Sequence, residues 1–319
     1  MIILRKKYFR GKNAVITGAA SGIGRTFAIK LAKMGANLAI SDINMARLEQ
    51  TKEDIESIGG KVISCKCDVA NEKEVNNMAE NAIAEFTDIH FLFSNVGIAM
   101  GGPFEYFTLD HWEKIIKVNL WGMIYCVRAF IPRMLEQGYG HVIVTSSMAG
   151  SLGTGGMIPY CTTKFANSGF CEALYGEYKR KGIDVSIICP FPLKTNLIET
   201  VGMSIPPELF EGLSPEAIEH GIKLGKKYYW DKYNEDKGPL SGFCGGFPVE
   251  RSVNRFIKKI SRKKLYIYDR RYGRLLQWLR GQWPGVYKHV LNDLGKKHFE
   301  LIEDTFKEAV NIAKNYENK

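Results

Sequence analysis

The sequence lacks the features that mark secreted, membrane-spanning and metal-binding proteins. Only four residues precede the first basic cluster, too few for the apolar core of a signal peptide. No window approaches the roughly 18 uncharged apolar residues of a membrane span. The seven cysteines show no metal-ligand spacing, because the single Cys65-x-Cys67 pair lies inside a strand pattern. We therefore expect a cytoplasmic protein with reduced, mostly buried thiols and no metal site.

Acidic residues are nearly missing from one stretch of the chain. The segment 251–280 carries 11 Lys and Arg residues and one acid, Asp269, whereas the rest of the chain is electrically neutral. The apolar residues interleaved with these bases are Phe256, Ile257, Leu265, Tyr266, Leu275, Leu276, Trp278 and Leu279. This pattern suits peripheral contact with an anionic membrane; the alternative is that the apolar residues seal a sheet edge and the bases are merely solvated. No nucleic-acid-binding motif accompanies the charge, so we expect no nucleic-acid partner.

Short apolar segments alternate with helical patterns along most of the chain. The six predicted strands are NAVIT (13–17), NLAIS (37–41), KVISCKC (61–67), HFLFS (90–94), HVIVTS (141–146) and IDVSIIC (183–189). Such alternation predicts right-handed crossovers and a parallel sheet with helices on both faces. The predicted fold class is therefore α/β, a doubly wound, Rossmann-like parallel sheet in a single domain. LYIYD (265–269) is the candidate last edge strand, and a later apolar stripe predicts a C-terminal helical extension.

The first strand leads directly into a glycine-rich turn and a helix. The residues concerned are Gly18, Ser21, Gly22, Ile23 and Gly24. Glycines allow the backbone to approach a pyrophosphate closely, and the N-terminus of a helix supplies free N–H groups and the positive end of a dipole. We predict a dinucleotide-binding site here; a tight turn without a ligand is the alternative.

An acidic residue ends the second predicted strand. Asp42 is suited to accept hydrogen bonds from the adenosine ribose and to repel a 2′-phosphate, which favours NAD over NADP. The same carboxylate could instead cap the helix that starts near Asn44, and both roles are compatible. The residues predicted to border the cofactor after the third and fourth strands are Asp68, Val69, Asn95 and Gly97.

One of several Tyr-x-x-x-Lys pairs stands in a distinctive context. Tyr160 and Lys164 lie one turn apart on a predicted helix, and an ammonium group beside a phenol favours the phenolate. Ser147, thirteen residues before Tyr160, follows an apolar strand and could hold a substrate oxygen against the phenol. Other copies, such as Tyr8/Lys12, lack a preceding strand that ends in serines and a glycine-rich loop.

Taken together, these motifs resemble the short-chain dehydrogenase/reductase family. Residues 17–24 match its T-G-x-x-x-G-x-G motif, and residues 94–97 match its N-N-A-G loop with changes at the first and third positions. The resemblance covers residues 11–195 and implies four catalytic positions. These are Asn119, Ser147, Tyr160 and Lys164.

The resemblance also implies a role for each of these residues. Tyr160 is the expected acid/base, Ser147 orients the substrate oxygen, and Asn119 positions a water in the proton relay. Lys164 binds the nicotinamide ribose and tunes the tyrosine, so Tyr160 and Lys164 both border the cofactor. After the sixth strand, Pro190 and Thr195 are expected at the cofactor, whereas Phe191 replaces the glycine that is usual in the family.

The chain divides into three predicted parts of one domain. Residues 1–190 form the dinucleotide-binding and catalytic core, 191–247 a substrate-binding lid region, and 248–319 the last strand and a basic, helical extension. The lid region is read as loops rich in large apolar groups, which either enclose a hydrophobic substrate or simply pack on the body.

The predicted function is an NAD-dependent oxidoreductase that interconverts a secondary alcohol and a ketone on a bulky steroid-, retinoid- or lipid-like substrate. An NADP-dependent carbonyl reductase is the nearest alternative, and a catalytically silent NAD sensor or scaffold is the alternative from another class. A small hydrophobic substrate and a homodimer or homotetramer are the expected partners.

Overall fold

Seven parallel strands form the main sheet of the computed structural model, which describes residues 7–193, 202–203, 205, 207–235 and 247–318. The strands are β1 (Asn13–Thr17), β2 (Asn37–Asp42), β3 (Val62–Lys66), β4 (Phe91–Ser94), β6 (Gly140–Thr145), β7 (Ile183–Cys189) and β9 (Tyr266–Tyr268). Their order across the sheet is β3-β2-β1-β4-β6-β7-β9. A small separate pair joins β5 (Met100–Gly101) to β8 (Gly202–Met203) in parallel. All six predicted core strands and the predicted edge strand are present, because apolar runs of this kind are buried on both faces.

Helices cover both faces of the sheet. They are α1 (Gly22–Lys33), α2 (Met45–Glu56), α3 (Glu72–Phe86), α4 (Leu109–Ile116), α5 (Gly122–Glu136), α6 (Ile158–Tyr178), α7 (Pro215–Glu235), α8 (Val249–Ile260), α9 (Tyr272–Gln282) and α10 (Pro284–Glu317). One core cluster includes Phe27 of α1 and Phe256 of α8, and the other includes Phe130 of α5 and Cys171 of α6. The same strands contribute side chains to both clusters, because successive residues of a strand point to opposite faces of the sheet. The structure is therefore the doubly wound α/β fold that the sequence predicts.

The long helix predicted over residues 108–137 is interrupted at its centre. Between α4 and α5, Lys117–Trp121 form a π-helical turn, a feature that often occurs at functional sites. Leu109–Glu136 as a whole is also the one described stretch long and apolar enough in composition to cross a bilayer. Its inner face, including Met123 and Cys126, belongs to the core against the sheet.

The lid region is not the loop that its composition suggests. The 21-residue helix α7 occupies much of it and packs along α10. Gly221 and Gly225 lie on one side of α7, and a Cβ on Gly225 would come within 2.6 Å of the Ala309 Cβ. Glycine disfavours an isolated helix by about 1 kcal/mol, so the sequence gives little indication of α7. In the structure, close packing of α7 on α10 offsets this low helix propensity.

The basic segment 251–280 is mostly a packed part of the body. Phe256 and Ile257 of α8 are fully buried, and Leu276 of α9 is buried. Of the expected membrane anchors, Leu275 and Trp278 are exposed. The structural alternative therefore accounts for most of the apolar residues of this segment.

Candidate active site

The carboxyl ends of the central strands bring the predicted site residues together. Gly18 directly follows β1 and has φ +68°, which glycine adopts without strain. A Cβ on Gly24 would lie 2.0 Å from the Gly18 carbonyl oxygen, so only glycine fits at this helix start. Ser21 precedes α1 with no side-chain cap hydrogen bond, and Gly22 and Ile23 are its first helical residues.

Asp42 lies at the end of β2 and holds the neighbouring backbone. Its Oδ2 accepts from the Ala20 N–H at 3.1 Å, and its Oδ1 accepts from the Asn44 N–H at 2.9 Å. The helix cap of α2 is Asn44 rather than Asp42, since Asn44 Oδ1 accepts from the Arg47 N–H. Each carboxylate oxygen has two acceptor positions, so Asp42 retains capacity for two ribose hydroxyls.

Asn119 is buried in the π-helical turn and anchors the loop that follows β4. Its Oδ1 accepts from the Ile98 N–H at 2.8 Å, and its Nδ2 donates to the Ile98 carbonyl and to Thr163 Oγ1. Both amide hydrogens are therefore used within the protein. A Cβ on Gly97 would meet Lys164 Nζ at 3.0 Å and Asn119 Oδ1 at 3.4 Å, which places both side chains beside this glycine. Asparagine is mildly unfavourable within a helix, but at this position Asn119 holds the loop after β4 in place.

Tyr160 and Lys164 lie one turn apart on α6, as their spacing predicts. Lys164 Nζ is 5.7 Å from the centroid of the Tyr160 ring and donates to the Thr145 carbonyl at 3.0 Å. Burial raises the pKa of Tyr160 to about 12, against a hydrogen bond with Ser147 that lowers it. The expectation that the ammonium group brings this pKa below its ordinary value is wrong for this structure, because burial is the larger effect.

Lys164 is itself almost entirely buried. Burial lowers the pKa of Lys164 to about 8, so the side chain remains mostly an ammonium group at neutral pH. Ser147, at the start of the turn after β6, accepts from the Ala149 N–H at 3.1 Å. The Tyr160 phenol has one donor and two acceptor positions, so its bond with Ser147 leaves it able to bind a substrate oxygen.

The loop after β7 is supported by the basic C-terminal segment. Pro190 accepts from the Met148 N–H at 2.9 Å, and Phe191 is buried with its N–H donated to Asp269 Oδ1 at 3.1 Å. Asp269 also accepts from Ser252 Oγ at 2.8 Å. The φ of Phe191 is not positive, so this position does not require the glycine usual in the family.

The remaining predicted cofactor residues have simple placements. Asp68 accepts from the Ala70 N–H at 2.9 Å and fixes the turn after β3. Val69 is buried against Gly122, where a Cβ would come within 2.8 Å of Val69 Cγ2. Asn95 Oδ1 accepts from Thr145 Oγ1 at 3.0 Å. Thr195 lies outside the described residues.

Several supporting side chains escape the motif analysis. Thr17 Oγ1 accepts from the Asn95 N–H at 3.0 Å, and Thr163 Oγ1 accepts from Asn119. Ser146 Oγ donates to the Lys164 carbonyl at 2.9 Å. Thr17 lies within the glycine motif, whereas Ser146 and Thr163 each precede a catalytic residue. This proximity to a motif is the sequence feature by which they could have been predicted. Asp269 has a different signal in the sequence, because it is the single acid of the basic segment.

The site fits a nicotinamide dinucleotide. The Gly18–Gly24 contact leaves a backbone cradle at the N-terminus of α1, where a pyrophosphate is favoured. Ser41 Oγ, buried next to Asp42, has no hydrogen-bond partner among the described residues. A parallel sheet with this cradle and a buried tyrosine–lysine pair defines a dinucleotide-dependent oxidoreductase.

Comparison with known proteins gives the family. The family model for short chain dehydrogenase matches residues 12–204. Epidermal retinol dehydrogenase 2 from Homo sapiens is 34% identical over 232 residues, covering 70% of this chain and 75% of its own. The chain therefore belongs to the short-chain dehydrogenase/reductase family and is an NAD(P)-dependent alcohol dehydrogenase or ketoreductase of the short-chain type.

Solved structures agree with this assignment. A short-chain dehydrogenase/reductase from Burkholderia phymatum in complex with NAD aligns with a TM-score of 0.70 and 27% identity, covering 86% of this chain and 94% of its own. A metagenomic short-chain oxidoreductase in complex with NADP aligns with a TM-score of 0.55 and 29% identity, covering 57% and 83%. The two neighbours carry different dinucleotides, so membership of the family leaves the choice of cofactor open.

Proposed function

We propose that the protein is an NAD-dependent oxidoreductase that interconverts a secondary alcohol and a ketone on a bulky, steroid-, retinoid- or lipid-like substrate. The observation that carries this proposal is the buried Tyr160, bonded to Ser147 and one turn from Lys164. A phenol in this setting can exchange a proton with a substrate oxygen, whereas a scaffold has no use for such a buried pair.

Each side chain has a distinct task in this proposal. A dinucleotide bound in the glycine-lined cradle would supply the hydride chemistry. Tyr160 takes the proton of the alcohol during oxidation and returns it during reduction. Ser147 holds the substrate oxygen beside the phenol, and the Lys164 ammonium favours the phenolate when it forms. Asn119 holds the Ile98 backbone and, through the free acceptor position of Oδ1, can bind a relay water.

An apolar substrate is supported by the surroundings of the phenol. Tyr160 belongs to a small core cluster with Met100, Phe107 and Ile115, and Met157 packs against this cluster. Water is thus largely kept from the reacting hydroxyl. A relative named a retinol dehydrogenase points to the same class of apolar alcohol.

Asp42 supports NAD as the cofactor. Its carboxylate is fixed at the end of β2 by the Ala20 and Asn44 N–H groups. A fixed negative charge at this position would repel the 2′-phosphate of NADP.

The test is a turnover assay of the purified protein with NAD or NADP and a panel of hydroxysteroids, retinol and long-chain secondary alcohols. We expect formation of the reduced cofactor with NAD and an apolar alcohol. Turnover of short polar alcohols alone would contradict the substrate class. NAD binding without turnover of any alcohol or ketone would favour the silent sensor instead.

We further propose a cytoplasmic homodimer or homotetramer that contacts anionic membranes peripherally. Leu275, Trp278 and Trp283 are each at least half exposed, and the flanking Arg274 and Lys288 are exposed as well. Each such base can contribute about 1 kcal/mol near an anionic surface.

Liposome flotation tests this contact. We expect binding to anionic vesicles at low salt that is lost at high salt and weakened by Trp278→Ser. Trp121→Ser is the matched control, because Trp121 is an exposed tryptophan outside this surface. Equal flotation of the Trp278→Ser variant, or no binding of the wild type, would contradict the proposal.

A further inference from the structure

The C-terminal helix α10 lies directly against the loop that leads into the Tyr160 helix. A Cβ on Gly155 would come within 2.9 Å of the Gly295 carbonyl oxygen. A Cβ on Gly156 would come within 2.4 Å of Ile302 Cδ1, about two helical turns beyond Gly295 along α10. The loop therefore approaches the backbone of α10 at Gly155, which leaves no space for a side chain there, and it contacts the Ile302 side chain at Gly156.

His298 bonds this loop from α10. Its Nδ1 is 2.7 Å from the Gly155 carbonyl oxygen, and its Nε2 is 2.7 Å from the Tyr229 hydroxyl of α7. Because a carbonyl only accepts, Nδ1 carries the hydrogen, and in the neutral ring Nε2 then accepts from the tyrosine. Burial lowers the pKa of His298, so the neutral form prevails at neutral pH. The tautomer is thus fixed by both partners.

The same loop is bonded from its other side. Gly102, which follows β5, donates its N–H to the Gly156 carbonyl at 2.9 Å. Two residues later the chain enters α6, whose third residue is Tyr160. The loop is therefore held between β5 and α10 immediately before the catalytic helix begins.

The partner of His298 belongs to a closely packed helix pair. Gly221 and Gly225 bring α7 close to the Ala309 region of α10, and Tyr229 continues the same i, i+4 row of α7. Further along, the Ser214 N–H donates to the Glu317 carboxylate at 3.0 Å. The position of α7 is consequently transmitted to the loop through one imidazole.

We propose that His298 is a positioning residue, which couples the α7–α10 helix pair to the loop 153–156 and thereby sets the place of Tyr160 relative to the substrate. The helices α7 and α10 then act as one wall of the substrate site. The proposal rests on the proposed function for its kinetic consequences, but its structural consequence is independent of turnover.

Backbone hydrogen exchange tests the structural consequence in the full-length protein. In His298→Ala, the amides of residues 154–157 should exchange about tenfold faster, the change expected when a hydrogen bond of ordinary strength is lost. His298→Asn should restore slow exchange, because its Nδ2 can replace Nδ1 as the donor. His289→Ala and Tyr228→Phe are matched controls, on the same two helices, and should leave this segment unchanged.

Kinetics test the functional consequence. We expect kcat/KM for the apolar alcohol to fall about tenfold in His298→Ala while the Kd for NAD stays within about twofold, with recovery in His298→Asn. If His298→Ala does not fold, Tyr229→Phe decides, since it removes one hydroxyl and should give a smaller change in the same segment.

Unchanged exchange at 154–157 in both His298→Ala and Tyr229→Phe would overturn the proposal, whatever the activity. Exchange that rises evenly over the whole chain, without recovery in His298→Asn, would also overturn it and leave His298 a general stabilising residue. A wild type without turnover, combined with the local change in exchange, would refute the proposed function and leave the positioning role intact.

Discussion

The carboxyl ends and the amino ends of the strands, here called the carboxyl edge and the amino edge, each carry a tyrosine–lysine pair. The two pairs differ in the hydrogen-bond partners of the tyrosine. At the carboxyl edge stand Tyr160 and Lys164, with Lys164 Nζ 5.7 Å from the phenol ring. At the amino edge stand Tyr8 and Lys12, with the same sequence spacing and 5.1 Å between Nζ and the ring. Burial raises the pKa of both phenols above the ordinary value. Neither the motif nor the pKa alone therefore distinguishes a catalytic tyrosine from a structural one.

The difference lies in the partners of the two phenols. Tyr8 is bonded to His141 Nδ1 at 3.1 Å, and His141 Nε2 is bonded to Ser186 Oγ at 2.8 Å. Ser186 in turn donates to the Lys264 carbonyl at 2.7 Å, so the chain of donors and acceptors ends within the protein. At the carboxyl edge, Tyr160 instead has Ser147 as its partner beside the glycine-lined cradle. The Tyr8 network is closed, since each of its groups is bonded within the protein, whereas the Tyr160 hydroxyl can still bind a substrate oxygen.

The comparison would fail if the two tyrosines had similar effects on turnover. Tyr160→Phe should lower kcat by a factor of about 10² or more, the scale of general acid–base catalysis, while NAD binding and the fold are kept. Tyr8→Phe should leave kcat within about threefold of wild type but destabilise the protein by about 1–3 kcal/mol, because the acceptor His141 Nδ1 loses its donor. Steady-state kinetics and chemical denaturation of both variants measure the two effects. A Tyr160→Phe enzyme with turnover close to wild type would refute the catalytic assignment.

The acidic residues of the two edges sharpen the same contrast. Asp42 at the carboxyl edge is proposed to bind ribose, whereas Asp184 at the amino edge pairs with Lys179 and with Lys263 Nζ at 2.7 Å. Asp42→Ala should raise the Kd for NAD about tenfold, since a hydrogen bond to a charged group is lost, and should improve binding of NADP. Asp184→Asn should change stability and leave the ratio of the two dissociation constants unchanged. A wild type that binds NADP at least as well as NAD would contradict this assignment of Asp42.

Titration of Tyr160 tests the electrostatics of the carboxyl edge directly. With its pKa raised to about 12 by burial, the phenol should stay protonated up to pH 10 in protein without added cofactor. The difference in tyrosinate absorbance between wild type and Tyr160→Phe should therefore be negligible below that pH. A tyrosinate signal below pH 9 would show that Lys164 outweighs burial.

Sequence patterns predict the fold and the location of the site for a physical reason. Strands that are buried on both faces must be continuous apolar runs, and parallel strands place their carboxyl ends at one edge. The residues that follow β1, β2, β4 and β6 therefore had to converge. Among these, the glycine loop, Asp42, Asn95 and Ser147 were predicted from their residue type and their place after a strand, and the structure brings them together.

Other features depend on tertiary contacts that no local pattern contains. The helix α7 holds Gly221 and Gly225, which argue against a helix until Ala309 of α10 is known to pack there. The hydrogen bonds of Asn119 with Ile98 and Thr163, and that of His298 with Gly155, join chain segments far apart in sequence. The pKa of Tyr160 was misjudged for a related reason, because spacing reveals the lysine but not the depth of burial.

Acidification should weaken the hydrogen-bond network at the amino edge. Burial lowers the pKa of His141 to about 3, although Asp184 raises it, so the folded protein cannot bind a proton that the unfolded chain binds below its ordinary pKa. Stability contributed by neutral His141 is therefore complete above pH 6.5 and is lost as the pH falls towards 3. Between pH 6.5 and 5 the loss should approach about 1.4 kcal/mol per pH unit. Burial raises the pKa of Asp184, but Lys179 and Lys263 outweigh it and hold this pKa below the usual range, so Asp184 itself contributes little in this window. Denaturation at several pH values should give a shallower slope in His141→Gln, with a remainder from His90 and His298, whose pKa values burial also lowers. An unchanged slope would mean that the closed network at the amino edge opens before His141 is protonated.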